Sequence, residues 1–213
     1  MISFENISFS IAGRTLVKNS TVSIPNGHKV GLVGRNGTGK TSLFRLIYGE
    51  ITLDNGNLKL SKNLRVGGVS QEAPGNSITL INTVLAADQE RTDLLEKAQI
   101  EKDPLKISEI QTRLTDIDAW SAEARASTIL NGLGFEKHKQ KLACSEFSGG
   151  WRMRVALAAV LFSKPELLLL DEPSNYLDLE GTIWLQSYIS QYPSTVIIIS
   201  HDRALLNLSL IHI

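Results

Sequence analysis

The first third of the chain alternates apolar and polar residues, the pattern of strands that bury one face. The alternation begins near Met1 and is interrupted at Ala12-Gly13, and a Pro25-Asn26-Gly27 turn precedes the next apolar stretch. That stretch predicts a strand from Lys29 to Val33, and helical spacing of apolar residues predicts a helix from Thr41 to Tyr48. The chain therefore opens with short strands, one of which leads directly into a helix.

Between Thr79 and Leu133 there is almost no strand pattern. An apolar stripe at helical period runs through this segment, at Ile107, Ile110, Leu114 and Ile117. The residues from Asp88 to Asp118 carry charges of both signs, which is typical of a solvent-facing helical pair, and a specific docking surface is the alternative. Lys102-Asp103-Pro104 is predicted to divide the two helices, because proline disrupts a helix interior.

The α/β alternation returns in the last third. Apolar spacing predicts helices from Trp151 to Phe162 and from Gly181 to Gln191. Strands are predicted from Leu167 to Leu170 and from Thr195 to Ser200, and the first is apolar throughout, as in a strand buried on both faces. The whole pattern predicts an α/β core interrupted by a helical insertion.

Composition narrows the class of protein. Of the 213 residues, 42% are hydrophobic and 21% are charged, as in an ordinary globular protein. Lys+Arg and Asp+Glu both total 22, so the chain has no overall positive charge to attract nucleic acid. A local basic patch remains an alternative. The single cysteine, Cys144, excludes an intramolecular disulfide and favours an intracellular setting. The apolar runs are too short to span a bilayer, and the N-terminal residues resemble a strand and not a secretory signal. We therefore expect a soluble, cytoplasmic protein without membrane insertion.

The strongest motif follows the strand that ends at Val33 and matches the P-loop pattern. In such a loop, glycines let successive N–H groups face phosphates, and the following helix N-terminus adds positive potential. A glycine-rich turn with a surface lysine is the simpler alternative, but a strand before and a helix after are the context that the motif requires. We expect an ATP site in which Lys40 reaches the β- and γ-phosphates and the Thr41 hydroxyl binds Mg²⁺. The phosphate-binding candidates are Gly34, Arg35, Asn36, Gly37, Thr38, Gly39, Lys40, Thr41 and Ser42.

A carboxylate pair, Asp171 and Glu172, follows the apolar strand Leu167 to Leu170. Carboxylates at the end of a buried strand are expensive to bury without a cation. Asp171 therefore suits the Mg²⁺ shell, and Glu172 suits a base that polarises an attacking water. An acidic helix cap after a core strand is the alternative.

Ser148-Gly149-Gly150 stands between the helical insertion and the carboxylate pair. In this order the P-loop, the Ser-Gly-Gly tripeptide and the carboxylates resemble ATP-binding cassette (ABC) proteins. The resemblance implies a P-loop NTPase core of the ABC type, with an antiparallel β subdomain and an inserted helical subdomain. It also implies that Ser148, Gly149 and Gly150 contact the γ-phosphate held by an opposing cassette, and a hydroxyl and amides at a helix N-terminus suit an anion.

Four further positions match the same family. Gln71 resembles the glutamine that reaches Mg²⁺ and the attacking water, and His201 resembles the switch histidine that contacts the γ-phosphate. Asp178 and Ser174 correspond to the loop that crosses to the partner cassette. The resemblance thus implies catalytic roles for Glu172, His201 and Gln71, nucleotide contacts from Asp178, and Mg²⁺ ligation by Thr41, Gln71 and Asp171. It covers one domain, 1–213, comprising a β part with the P-loop (1–71), a helical insertion with an arm-like segment (72–147), and the signature helix with the rest of the core (148–213).

The sequence around the tripeptide indicates the branch of the family. Trp151-Arg152-Met153-Arg154 and the loop from Pro173 to Glu180 resemble the ABC-F family, soluble proteins with two cassettes in one chain. This resemblance implies MgATP hydrolysis by a cassette that acts head-to-tail with a second one, in a longer chain or as a homodimer, as a ribosome-associated translation factor. The alternatives are the ATP-binding subunit of a membrane transporter and an ATP-dependent binding module that does not rely on hydrolysis.

The sequence departs from the family pattern at three places. Ile11 stands where many cassettes place an adenine-stacking aromatic, and Phe9 is either a partial substitute or a core residue, so a preference for adenine over guanine does not follow. Ser174 replaces the usual threonine conservatively. The chain ends at Ile213, where a complete cassette continues, so we expect the N-terminal cassette of a two-cassette protein, truncated at its C-terminus.

Overall fold

A computed structural model describes residues 1–69, 75–206 and 211–212 of the chain. They divide into two units, one formed by Met1–Val69 with Pro165–Ile213 and the other by Ser70–Lys164. The first unit, the core unit, contains the strands, and the second, the helical unit, is the insertion that the sequence predicts. An α/β core interrupted by a helical insertion is therefore confirmed.

An antiparallel sheet of three strands opens the core unit, in the order β2-β1-β4. Its strands are β1 (Ile2–Ile11), β2 (Arg14–Ile24) and β4 (Asn55–Leu60). Ala12 and Gly13 join β1 to β2 with φ of 50° and 78°, the positive values of a two-residue hairpin turn that matches the strand twist. This turn places Ile11 directly opposite Arg14.

A parallel sheet of five strands forms the rest of the core unit, in the order β5-β6-β7-β3-β8. Its strands are β3 (Lys29–Leu32), β5 (Val66–Gly68), β6 (Leu167–Asp171), β7 (Thr195–Ile199) and β8 (Ile211–His212), and the helices of the unit are α1 (Lys40–Ile47), α7 (Leu179–Ser190) and α8 (Arg203–Leu206). The four leucines of β6 are at most 1% exposed, because a central parallel strand is covered on both faces. The hydrophobic cluster of this unit also includes residues of β1 and α1, so one core joins both sheets.

The carboxyl ends of three neighbouring strands lie at the same level. Ile199, the last residue of β7, is paired with Leu32 of β3 on one side and with Asp171 of β6 on the other. The segments that follow these strands therefore emerge side by side at one edge of the sheet. In open α/β sheets this edge is where ligands bind.

The helical unit contains α2 (Leu80–Leu85), α3 (Gln89–Ile100), α4 (Pro104–Asp116), α5 (Ala122–Gly132) and α6 (Gly149–Ser163). Helix α6 packs against α2 and α5 through a buried face that includes Val155, Ala158 and Leu161. The division at Lys164 therefore differs from the predicted boundary between 147 and 148, since packing places the signature helix with the insertion.

Helices α3 and α4 form the solvent-facing pair that the charge pattern predicts. Leu114 is fully buried, and the other apolar residues of the predicted stripe are half-buried. Arg113 of α4 bonds Glu90 of α3 at 2.6 Å, and Asp103 caps α4 immediately before Pro104. Within the described part of the chain, no helix has the length and apolar character needed to cross a bilayer.

Candidate functional site

A cleft of about 430 Å³ lies at the carboxyl edge of the parallel sheet. The P-loop lines it with residues between Asn36 and Ser42, and Asp171 and Glu172 line it from the end of β6. Ile11, Arg14 and Leu16 line it from the β1–β2 hairpin, and Ile199 lines it from the end of β7. All of these residues belong to the core unit, so the cleft is formed within that unit.

The P-loop follows the backbone path that its glycines allow. Gly37 and Gly39 have φ of 76° and 99°, values at which a side chain is strained. A Cβ atom at Gly39 would also lie 3.1 Å from Cβ and from Cδ1 of Leu16, whereas one at Gly37 would meet nothing within 4 Å. The loop is thus closed by its own turn at Thr38, whose hydroxyl donates to the Arg35 carbonyl at 2.8 Å, and packed on the hairpin at Gly39.

Lys40 and Thr41 are the first residues of α1 and point their polar atoms at different partners. The Lys40 Nζ donates to the carbonyl oxygens of Gly34 at 2.7 Å and Arg35 at 3.2 Å. The Thr41 hydroxyl donates to Oδ2 of Asp171 at 2.7 Å, across the sheet edge. The fold therefore brings together two of the three residues that the sequence assigned to Mg²⁺, although they are 130 positions apart.

These oxygens have the chemistry of a magnesium site. Mg²⁺ prefers hard oxygen ligands and is bound in proteins by one or two carboxylates plus phosphates and water. The Asp171 carboxylate is exposed in the cleft, and the Thr41 hydroxyl contacts it directly. The residues present therefore fit the ion.

Glu172 occupies the left-handed region, with φ of 46° and ψ of 52°. Such a conformation costs a non-glycine residue about 1–3 kcal/mol and persists only where the surroundings fix it. The Glu172 N–H donates to the Ile199 carbonyl at 2.8 Å, which continues the β6–β7 ladder by one residue. Its side chain is 22% exposed and lines the cleft.

His201 connects Glu172 to the P-loop. The His201 backbone N–H donates to Oε2 of Glu172 at 3.3 Å, and its Nε2 lies 3.3 Å from Oε1 of the same carboxylate. The same Nε2 lies 3.0 Å from Oδ1 of Asn36. Nε2 therefore lies between an amide oxygen of the P-loop and the Glu172 carboxylate. His201, which follows β7, thus holds the carboxylate of Glu172, which follows β6.

The other candidates from the sequence lie outside this group. Gln71 lies outside the described residues. Asp178 is the N-cap of α7, where its Oδ1 accepts from the Gly181 N–H at 2.8 Å. Ser174 lies in a short 3₁₀ turn, Pro173–Tyr176, and is half-buried.

The Ser-Gly-Gly tripeptide lies in the helical unit at the start of α6. Ser148 is the N-cap, and no hydrogen bond from its side chain caps the helix. All three residues are exposed, and a Cβ at Gly149 or Gly150 would meet nothing within 4 Å. The N–H groups of a 15-residue helix are therefore accessible at this end.

Arg14 and Leu16 line the cleft although neither was a candidate from the sequence. The sequence does contain a signal for Arg14, because a two-residue turn at Ala12-Gly13 puts it opposite Ile11. Ile11 is the position at which many cassettes place an adenine-stacking aromatic. Phe9 is fully buried, so it is the core phenylalanine and does not substitute for a base-stacking aromatic in the cleft.

Residues 17–175 match the protein family described as ABC transporter. The chain belongs to the ATP-binding cassette family. The probable ATP-binding protein YheS of Haemophilus influenzae is 42% identical over 210 residues, covering 97% of this cassette chain and 33% of that protein. ATP-binding cassette sub-family F member 3 of Homo sapiens is 40% identical over 217 residues, covering 97% of the chain and 30% of that protein.

Solved structures agree on the fold. A dimeric ATP-binding cassette in a post-hydrolysis state bound to ADP and Pi has a TM-score of 0.70 at 18% identity, covering 100% of this chain and 94% of that one. The ABC-type fold is therefore confirmed, and the curated relatives confirm the ABC-F branch. The chain spans about a third of the length of YheS.

Proposed function

We propose that this cassette binds MgATP and hydrolyses it as one half of a head-to-tail pair of ABC-F-type cassettes. One observation carries the proposal: the 2.7 Å hydrogen bond between Thr41 and Asp171, beside a Glu172 carboxylate held by His201. A structural P-loop turn does not require a second strand to deliver carboxylates to it. A nucleotide site does, because metal and attacking water must meet at the terminal phosphate.

The P-loop residues bind the phosphates of the substrate. Backbone N–H groups of the loop and the N-terminus of α1 provide partial positive charge, and no acidic residue in the first turn of α1 opposes it. Lys40 adds a full positive charge for the β- and γ-phosphates. The loop is held in this form by the contact of Gly39 with Leu16, so phosphate binding does not have to order it.

Thr41 and Asp171 would hold Mg²⁺ through their oxygen atoms. When bound there, the ion would supply positive charge against the negative charge that develops in phosphoryl transfer. The two ligands come from α1 and β6, elements of one buried core, which keeps their separation fixed.

Glu172 orients and polarises the attacking water. A positioned general base contributes about 10²–10⁴-fold to the rate. The His201 backbone N–H donates to the Glu172 carboxylate and its Nε2 lies 3.3 Å from the same group, so His201 holds the base in place. Because Nε2 also contacts Asn36, a shift of the P-loop would be transmitted to Glu172 through His201.

The second cassette supplies the part that this cleft lacks. The exposed start of α6, with Ser148, Gly149 and Gly150, is an anion-binding group that would cover the phosphates held by the partner. In such a pair each member contributes a P-loop to one site and a Ser-Gly-Gly group to the other, with Asp178 on the loop between them. The dimeric cassettes among the fold neighbours support this arrangement.

We infer a role as a cytoplasmic, ribosome-associated translation factor from the resemblance to the ABC-F family, to which relatives such as the human sub-family F member 3 belong by name. The charged α3–α4 pair, with Ile100 and Leu105 each 77% exposed at its tip, is the arm-like segment that would contact the ribosome. Co-sedimentation with ribosomes in the presence of ATP, enhanced by Glu172→Gln, tests this role. Co-purification with a membrane permease and not with ribosomes would contradict it.

The central experiment measures Mg²⁺-dependent ATP hydrolysis over a range of protein concentrations. A paired mechanism predicts a rate that rises more steeply than linearly with concentration and falls at least about a hundredfold in Glu172→Gln. Glu109→Gln on the exposed face of α4 makes the same chemical change outside the cleft and should retain the wild-type rate. Strictly proportional rates would contradict pairing, and full activity of Glu172→Gln would contradict the assigned base.

A further inference from the structure

The cleft-lining residues outside the P-loop, the Asp171–Glu172 pair and Ile199 all belong to the β1–β2 hairpin. Ile11 and Arg14 are the last cross-strand pair before the turn, and Leu16 packs onto Gly39. Phosphates bound along the P-loop therefore leave the base of a nucleotide directed at Ile11, Arg14 and Leu16. None of the cleft-lining residues in the described ranges is aromatic.

Two of these three side chains cannot distinguish one purine from another. Ile11 and Leu16 are half-buried and aliphatic, so they can cover the face of a base but offer no donor or acceptor to its edge. A hydrophobic surface discriminates weakly between ligands of similar shape. Selectivity for the base therefore depends on Arg14.

The Arg14 guanidinium is available for a ligand. Arg14 is exposed, and its side chain makes no hydrogen bond or ion pair with any residue that the structure describes. Its register opposite Ile11 fixes the strand position from which it extends over the cleft. A guanidinium is planar, so it can stack on a base or present two parallel N–H groups to its edge.

We propose that Arg14 contacts the base and that the site therefore accepts guanine nucleotides at least as well as adenine nucleotides. The inference rests on the proposed nucleotide site and adds its base specificity. Guanine presents two adjacent acceptors, N7 and O6, which match the paired donors of arginine. Adenine presents N7 beside an amino group, whose donor faces the donors of Arg14 and forms no second bond.

The test is displacement of a fluorescent ATP analogue from the 213-residue chain by MgATP, MgGTP and MgCTP. We expect the Kd for GTP to equal or fall below that for ATP. Arg14→Ala should weaken GTP about fivefold more than ATP, the lower end of the range for a bidentate arginine contact since the residue is exposed. Arg14→Lys should behave like Arg14→Ala, because lysine keeps the charge but not the planar fork.

Lys18→Ala is the matched control, since Lys18 is exposed on the same strand and does not line the cleft. It should leave the ratio of ATP to GTP affinity unchanged, and circular dichroism should show that all variants fold. A wild-type Kd that is lower for ATP than for GTP overturns this inference alone. So does an equal loss of ATP and GTP binding in Arg14→Ala, equal binding of CTP, or full recovery in Arg14→Lys. Failure of every nucleotide to bind overturns the proposed function as well.

Discussion

The contact between Gly39 and Leu16 makes a prediction whose size follows from the structure. In Gly39→Ala the new Cβ would sit at φ of 99° and 3.1 Å from two carbon atoms of Leu16. The left-handed backbone costs alanine about 1–2 kcal/mol. Displacing Leu16 from a packed position adds about 1–3 kcal/mol. Alanine restricts the unfolded chain and returns about 0.4–1 kcal/mol, so the net loss in the free energy of unfolding is about 1–4.6 kcal/mol, with its centre at about 3 kcal/mol.

Gly37→Ala is the matched control, because Gly37 has φ of 76° but open space at its Cβ. It carries the backbone cost alone and should lose only about 1 kcal/mol. In a Leu16→Ala background the additional cost of Gly39→Ala should fall by about 1 kcal/mol, since Cγ and Cδ1 are gone while Cβ remains. The coupling energy isolates the contact from the backbone strain.

The assay is urea unfolding without nucleotide, followed by tryptophan fluorescence and by circular dichroism for all variants under one condition. Equal losses for Gly39→Ala and Gly37→Ala would refute the reasoning, because backbone strain would then account for both. A coupling energy of zero with Leu16→Ala would refute the contact specifically. In either case the P-loop would not be packed on the hairpin as described.

Three further predictions concern Mg²⁺, a helix end and acid stability. Thr41→Ala loses the hydroxyl bonded to Asp171 and should weaken nucleotide binding about tenfold with Mg²⁺ but less than about twofold in EDTA. Thr41→Ser should bind nucleotide about as well as wild type. Equal losses of affinity with Mg²⁺ and with EDTA would contradict metal ligation by Thr41. Lys164→Gly should stabilise the chain by about 0.5–1 kcal/mol in urea unfolding, since Lys164 ends α6 at φ of 46°, and a loss of stability would contradict this. Burial raises the pKa of Glu166, but hydrogen bonds from the Arg65 backbone and guanidinium outweigh it and hold the pKa below 4.5. The stability that this shift contributes is present above pH 4.5 and is lost as the pH falls through the lower pKa of the folded state. The fall in Tm between pH 7 and pH 3 should therefore be smaller in Glu166→Gln than in wild type. An equal fall would contradict the assignment.

The parts of the fold that local sequence specifies were predictable. Leu167 to Leu170 could be assigned as a central strand because a run of apolar residues needs cover on both faces. Pro104 marked the start of α4 because proline is tolerated in the first turn of a helix. The P-loop was equally clear, since its glycines and its flanking strand and helix are close in sequence.

Features that depend on distant partners were not predictable in the same way. Asn55-Gly56 suggests a turn, yet both residues begin β4; a Cβ at Gly56 would approach the Asn6 carbonyl to 2.4 Å, so the glycine serves a close strand contact at an irregularity of β1. The turn at Ala12-Gly13 predicts that Arg14 pairs with Ile11, but the packing of this hairpin on Gly39, which brings both residues to the cleft, depends on a segment distant in sequence. The grouping of α6 with the insertion likewise depends on packing against α2 and α5.

The carboxyl ends of β3, β6 and β7 lie in register at one edge of the sheet, and this restricts how the activity of the site can be regulated. The P-loop, Glu172 and His201 each follow one of three adjacent strands, of which β6 and β7 are almost fully buried, so displacing one of them requires opening a ladder between these strands. Such an opening costs nearly the full stability of the unit, unlike the fraying of a loop or helix end. The strands themselves therefore cannot act as a gate. A signal that turns this site on or off has to arrive through the loops above the sheet edge or through a second molecule that closes over them.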